Sequence, residues 1–575
     1  RRELQEELGI VLPKDAFELL FSFLEERVTN NGTFINNEFN DVYLVTTAEP
    51  IPLKAFTLQE SEVSAVKYIP FMEYKRLLEN EDPHYVPYNL EGQYGQLFVI
   101  LLSRYDEDAE SRSRALQERL NQYAIVPFDV ELTGLTNEDK ESLSLLIKAA
   151  EVMNEIFFQQ VWHSNPCIRD WLEVHANESQ LSKSKWLYYL INKSPWSILN
   201  ENEAFLTTAD SPLKLFPNAT KRVEGWRGLE YRAAFPVDKP AGANFYPPDM
   251  DKLEFELWKN SLSGGEKEKA RSFFSVIKRE SERLLDESTP ATATGSSKNP
   301  HDLFCVPYSE EYRALLTKAS DLMNEAADLT TSSSLKKFLK SRADAFLSND
   351  YYDSDIAWME LDSLLDVTIG PYETYEDRLF GYKATFEAFI GIRDDEATSA
   401  LHFFRDKLQF LEDNLPMDDV FKSKNVVAAP IRVIRLIYNA GDVKGPQTVA
   451  FNLPNDERIV KDRGTSVVML KNVAEAKFDL ILRPIAKVFL SHGQERFVNF
   501  HAFFFHIICH EYCHGIGPHT IVLPDGKEST VRLELQELHA PLEEAKADIV
   551  GLWALRFLSD KNLIPELTME CAYVS

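Results

Sequence analysis

Cysteine is scarce: Cys167, Cys305, Cys509, Cys513 and Cys571 are the five among 575 residues. An odd, widely spaced set excludes a disulfide framework and fits a reducing, cytoplasmic compartment. Long apolar runs are missing too. No uncharged stretch of about 18 apolar residues occurs, so neither a membrane span nor a membrane partner is expected. Positive charge is in deficit: 62 Lys and Arg stand against 91 Asp and Glu, a formal net charge of -29. Such a field repels phosphate backbones and argues against a nucleic-acid partner; its ordinary benefit is solubility. No internal repeat is evident. The rest is typical of a globular protein, 44% hydrophobic and 27% charged, with length enough for two to four domains.

Residues 1–110 read as mixed α/β. A charged helix, Arg1 to Leu8, should stop at Gly9, and strands are expected over Asp41 to Thr47 and Glu62 to Ile69. Tyr105 to Gln122 is polar and proline-free, which suits a connecting helix or linker. From about 137 the pattern turns helical: Thr136 offers an N-cap, followed by Leu143, Leu146, Ala149, Met153 and Phe157 at helical spacing. Glu287 to Pro300 lacks large apolar residues and reads as a mobile surface loop. Residues 366–482 carry β-rich runs, Val426 to Ile437 and Ser466 to Leu470, before helices return near 495.

Val498 to His514 runs for 17 residues without Gly or Pro, is apolar almost all round, and ends before Gly515, Gly517 and Pro518. It reads as a buried helix. Within it stands His510-Glu-Tyr-Cys-His514. Positions i and i+4 share a helix face, so both imidazoles can hold one Zn²⁺, while Glu511 can take a proton from a water there. A third ligand is needed. The best candidate is Glu544 in Glu543-Glu-Ala-Lys-Ala-Asp548, on a second helical segment with an apolar stripe of Leu538, Leu542, Ala545, Ile549, Leu552 and Leu555. Asp548 would orient one imidazole, and Glu543 the other. Alone, such an acidic run is usually a solvated helix face. Cys509 and Cys513 are also i and i+4 and could form a thiolate site, although buried free cysteines more often pack. His501, His506 and His519 read as core or helix-end histidines.

These two motifs resemble those of dipeptidyl-peptidase III. Phe451-Asn-Leu-Pro-Asn455 is similar to that family's Asn-Ile-Pro-Asn segment, and Glu373-Thr-Tyr375 to its Glu-x-Tyr. The resemblance implies that Asn452 and Asn455 hold substrate, that Glu373 pairs with the peptide's amino terminus, and that Tyr375 donates to the developing oxyanion. Three departures stand out. Most members insert one residue between the first motif's Glu and second His. Lys546 and Asp548 stand where Arg and Glu are usual. The family's downstream catalytic His and Arg would lie beyond Ser575.

Arg2-Glu-Leu-Gln-Glu-Glu-Leu-Gly-Ile10 resembles the second half of the Nudix box, and Glu62 to Ile69 resembles a late strand of that fold. The resemblance implies Mg²⁺ or Mn²⁺ held by Glu3, Glu6 and Glu7 against a diphosphate. The first half of the box would precede Arg1. The order of parts is similar to a plant Nudix protein.

The expected architecture is multidomain. The C-terminal part of a Nudix α/β sandwich (1–105) and a linker or helix (106–122) precede a two-lobed, mainly α metallopeptidase with a β-barrel in one lobe (123–575). The resemblance implies peptide binding between the lobes and release of dipeptides, with Zn²⁺ activating water and Glu511 as general base, then acid. Two other readings remain open. One is Nudix hydrolysis of a nucleoside or other organic diphosphate beside a non-catalytic peptidase-like region. The other is a zinc-braced peptide-capture scaffold.

Overall fold

The computed structural model describes residues 2–11, 17–29, 34–45, 51–85, 90, 93–105, 109–206, 230–231, 235, 239–247, 250–279, 303–426, 430–535, 538–564 and 569–574. It is mainly helical and divides into two compact units. Residues 1–123, 155–311 and 373–385 form the first; 124–154, 312–372 and 386–575 form the second.

In the first unit, the helix Arg2–Leu8 ends at Gly9, where φ is +68°. A Cβ at Gly9 would lie 2.6 Å from Thr57 Cβ, so only glycine allows this turn against Thr57. Strands Phe17–Thr29 and Phe34–Val45 pair antiparallel and bury Leu20, Phe21 and Phe23 against Ile100. The second strand takes in Asp41 to Val45 of the expected run; Thr46 and Thr47 lie outside the described residues. The expected strand from Glu62 to Ile69 is absent; the segment is turn and irregular chain. Its partly buried residues, Val63, Val66 and Ile69, recur every third position, whereas a pleated strand faces one side at every second. The polar connecting segment contains the helix Ala109–Leu120. An aromatic core forms around Phe157, Tyr188, Tyr189 and Trp196. The proposed loop from Glu287 to Pro300 lies outside the described residues.

In the second unit, Thr136 Oγ1 accepts the Asp139 N–H at 3.1 Å and starts the helix Asn137–Val161. Asp139 in turn accepts from Thr330 Oγ1 (2.9 Å), Thr331 N–H (3.0 Å) and Thr331 Oγ1 (2.8 Å). These bonds tie the helix to the turn between helices Arg313–Leu329 and Ser333–Ser348. Strands β1 (Leu365–Pro371), β2 (Phe386–Arg393), β3 (Ile431–Gly441), β4 (Ala450–Leu453) and β5 (Ser466–Leu470) form one sheet in the order β4-β5-β3-β2-β1. Only the β3–β5 pair is parallel. β3 is central and buries Val433, Ile434 and Leu436, the β-rich signature of an interior strand. It begins at Ile431 rather than Val426, because Pro430 has no N–H to enter the ladder. The strand order is linear among the described residues, with β4 and β1 at its ends. A five-stranded mixed sheet therefore stands where a closed barrel was expected.

The two motif helices are α1 (Phe500–Cys513) and α2 (His539–Asp560). Asn499 caps α1 by accepting the Ala502 N–H at 3.2 Å. Phe504, Ile508, Cys509, Tyr512 and Cys513 join Val467 and Met469 of β5 and Leu555 and Leu558 of α2 in one core. Each large apolar side chain buried there contributes about 1.5–3 kcal/mol. The inward face of α2 differs from the expected stripe. Leu542 and Ile549 are 52% and 71% exposed, whereas Ala547, Ala554, Leu555 and Leu558 are buried. Small residues let α2 approach α1 closely: a Cβ on Gly551 would stand 3.1 Å from His510 N. This rotation places Glu544 and Asp548 one turn ahead of the contact residues Ala547 and Gly551. No helix among the described residues is long and apolar enough to cross a membrane.

Candidate active site

α1 runs through Cys513, and its C-cap His514 keeps helical backbone angles and donates its N–H to the His510 carbonyl at 3.2 Å, so i, i+4 spacing sets the two histidines one above the other. Their Nε2 atoms are 3.1 Å apart, with ring planes at 89°. From α2, Glu544 Oε2 lies 3.2 Å from His510 Nε2, and Glu544 Oε1 lies 3.8 Å from His514 Nε2. Ligands about 2.0–2.1 Å from a tetrahedral ion stand about 3.3–3.4 Å from one another. The three donors therefore have the spacing to share one metal ion, and this is where metal-ligating groups converge among the described residues.

The outer ring nitrogens are held as well. His510 Nδ1 is 2.7 Å from Asp548 Oδ1, and His514 Nδ1 is 3.0 Å from Glu543 Oε1. An ionised carboxylate can only accept, so each Nδ1–H donates and each Nε2 keeps its lone pair for a metal. Glu511 sits partly buried between the histidines in sequence. Burial lifts its carboxyl above the ordinary value; the imidazoles oppose this and Glu544 adds to it. Burial also works against the charge on Glu543, but hydrogen bonds from His514 and Lys546 hold its carboxyl down to about 2. At His514 burial again disfavours charge, yet Glu543, Glu511 and Glu544 pull protonation upward. Four carboxylates thus gather with one ammonium, Lys546, which is 2.7 Å from Glu543 Oε1. Glu511 and Glu543 are partly buried while Glu544 and Asp548 are each 65% exposed, and this surplus of negative charge suits a divalent cation.

Cys509 and Cys513 are buried in the core, and burial raises both thiols, Cys513 to about 12. Neither joins the metal-donor group. His501 is exposed, His506 Nε2 lies 3.5 Å from the Asp548 carbonyl, and the His519 carbonyl accepts the Val531 N–H.

The other expected site residues are more dispersed. Asn452 is exposed on β4, opposite Val467 of β5. Asn455 Nδ2 donates to the Tyr372 carbonyl at 3.0 Å. Glu373 and Tyr375 belong to the first unit. The Glu373 carbonyl accepts from Thr385 N–H (2.8 Å) and Oγ1 (2.9 Å), while Tyr375 is 80% exposed. Glu6 is exposed and Glu7 partly buried on the Arg2–Leu8 helix; the Glu3 side chain lies outside the described set. Sequence reasoning passed over Lys546 and Gly551. The first was read only as a departure from arginine, although its place three residues after Glu543 was visible. The second carries no chemistry and shows its role only through the helix crossing.

A sequence profile of peptidase family M49 matches residues 266–549. Nudix hydrolase 3 of Arabidopsis thaliana is 63% identical over 578 residues, covering all of this chain and 75% of that protein. Among solved structures, dipeptidyl-peptidase III from Caldithrix abyssi is 38% identical with a TM-score of 0.68, over 80% of this chain and 78% of that one. Dipeptidyl-peptidase III from Corallococcus sp. strain EGB is 40% identical with a TM-score of 0.65, over the same shares. With its two motif helices inside or overlapping the matched region and its fold shared with these enzymes, the chain belongs to peptidase family M49 and is a hydrolase.

Proposed function

We propose that this protein is a zinc-dependent peptidase that releases dipeptides from peptide amino termini. The observation that carries this reading is the convergence of His510, His514 and Glu544 at ligand spacing, with a separate carboxylate behind each imidazole. Two imidazole nitrogens and one carboxylate suit Zn²⁺, which when bound supplies a Lewis acid and lowers the pKa of water. Asp548 and Glu543 hold the rings in one tautomer. Glu511, its carboxyl raised by burial, accepts a proton from the attacking water and returns it to the leaving amine. Glu373 would anchor the substrate's amino group, Asn452 and Asn455 its backbone, and Tyr375 would donate to the oxyanion. The sparse, odd set of five cysteines agrees with a reducing, cytoplasmic setting. The test is Glu511→Gln in full-length protein. Zinc content by mass spectrometry should match wild type while cleavage of a dipeptidyl-naphthylamide falls about 10²–10⁴-fold. A wild-type rate with zinc retained refutes the mechanism.

A second reading draws on the 63% identical relative, whose name is Nudix hydrolase 3. Residues 1–105 would be the C-terminal part of a Nudix domain, with Glu3, Glu6 and Glu7 on Mg²⁺ or Mn²⁺, joined through 106–122 to the peptidase region 123–575. Full-length protein carrying Glu6→Gln and Glu7→Gln should then lose Mg²⁺-dependent hydrolysis of organic diphosphates but keep its peptidase rate. Undiminished diphosphate hydrolysis removes these glutamates from the chemistry.

A further inference from the structure

Lys546 Nζ lies 2.8 Å from the Cys513 carbonyl, 2.8 Å from the Ile516 carbonyl and 2.7 Å from Glu543 Oε1. The His514 carbonyl is a looser fourth neighbour at 3.4 Å. An ammonium has three hydrogens, so two carbonyls and one carboxylate satisfy it fully. The carbonyls belong to the C-terminal end of α1 and the turn after it, where helix carbonyls lack partners within the helix. A cation there also suits the helix dipole. The carboxylate is the one that accepts from His514 Nδ1 at 3.0 Å. One side chain on α2 thus holds the backbone that carries His514 and the group that orients its ring. Lys546 is only 25% exposed in its side chain, and Glu543 only 22%, so the pair is not a freely solvated surface contact.

We propose that Lys546 is a positioning residue, acting through Glu543, that fixes the His514 imidazole for metal binding. This rests on the zinc-site reading above. The test compares zinc dissociation constants, by competition with a chromogenic chelator, and the visible spectrum of the Co²⁺-loaded protein. The proteins are wild type, Lys546→Met, Lys546→Gln, Lys546→Arg, Glu543→Gln and the Lys546→Met/Glu543→Gln double variant. Lys546→Met should weaken zinc binding about 10–100-fold and shift the Co²⁺ bands. Lys546→Arg should restore binding to within a few-fold of wild type. The double variant should be no weaker than the weaker single variant, since both changes interrupt one chain of contacts. Zinc binding by Lys546→Met within twofold of wild type, or fully additive losses in the double variant, overturns the proposal. If circular dichroism shows Lys546→Met unfolded, Lys546→Gln decides by the same criteria, because it keeps donors for the carbonyls without the charge. Wild-type protein that takes up no zinc overturns the metal reading itself; zinc-binding wild type with an unaffected lysine variant overturns only the role of Lys546.

Discussion

Arg279 and Glu254, in the first unit, bury together through two parallel hydrogen bonds, Nη1 to Oε1 at 2.7 Å and Nη2 to Oε2 at 2.8 Å. The guanidinium and the carboxylate meet edge to edge, one opposite charge facing another. In the second unit, Glu511, Glu543, Glu544 and Asp548 gather at two imidazoles, with Lys546 as the ammonium that joins them among the described residues. Both clusters are crowded and partly or wholly removed from water. In the first a positive and a negative group meet directly, and it reads as internal bracing. The second carries an excess of negative charge, and that imbalance sets it apart from the structural ion pair.

The largest effect should come from removing the ligand contributed by α2. Glu544→Ala is expected to lose zinc on dialysis, while the melting temperature of the zinc-free protein stays the same or rises, since a surplus charge has gone. A clear fall in zinc-free stability would make Glu544 a bracing residue and erase the distinction. Glu254→Ala should do the opposite: zinc content unchanged and a loss of about 3–5 kcal/mol in denaturant unfolding, because buried Arg279 loses its two-point carboxylate partner. Replacing the pair together, Glu254→Leu with Arg279→Met, should recover most of that loss. Asp548→Ala should weaken zinc about 10–100-fold and leave stability nearly untouched, as expected of a group that only orients an imidazole. Equal zinc affinity would detach Asp548 from the site.

The smallest expected effect is at Asp139, where an acid is balanced by neutral donors rather than by charge. Burial disfavours its ionised form, but hydrogen bonds from Thr331, Thr136 and Thr330 outweigh this and hold the carboxyl below its ordinary value. A folded-state pKa below the unfolded one stabilises the protein above the unfolded value, about 3.9, and that stabilisation fades as pH falls through the folded value. Asp139→Ala should therefore cost about 1–3 kcal/mol at neutral pH. The gap between variant and wild type should close below about pH 4 in urea titrations. A gap that persists at acid pH would assign the loss to packing.

How much of this could be read in advance depended on the kind of signal. The motif helix was legible because 17 residues without a breaker leave few alternatives, and i, i+4 spacing is geometry before it is structure. The inward face of α2 was not, because a stripe of large aliphatic residues catches the eye, whereas Ala547, Gly551 and Ala554 decide the contact by being small. Glu62 to Ile69 looked like a strand by composition, yet Val63, Val66 and Ile69 lack the alternation that a ladder needs. The boundaries of the two units were hidden for a different reason. Each unit is assembled from three separated stretches of chain, and no shift in composition marks where the chain leaves one for the other.

Gly551 sets the closeness of two helices that carry donors of the same site. His510 and His514 travel together on α1, so their mutual distance is fixed by helix geometry; Glu544 alone arrives on the neighbouring rod. The gap between rods is then the adjustable dimension of the whole donor triangle, and it is gauged by a hydrogen atom where any other residue would carry carbon. A methyl group at Gly551 would press on the backbone of His510 without altering any of the three groups, so the spacing between the two imidazoles and Glu544 depends partly on a position that has no side chain.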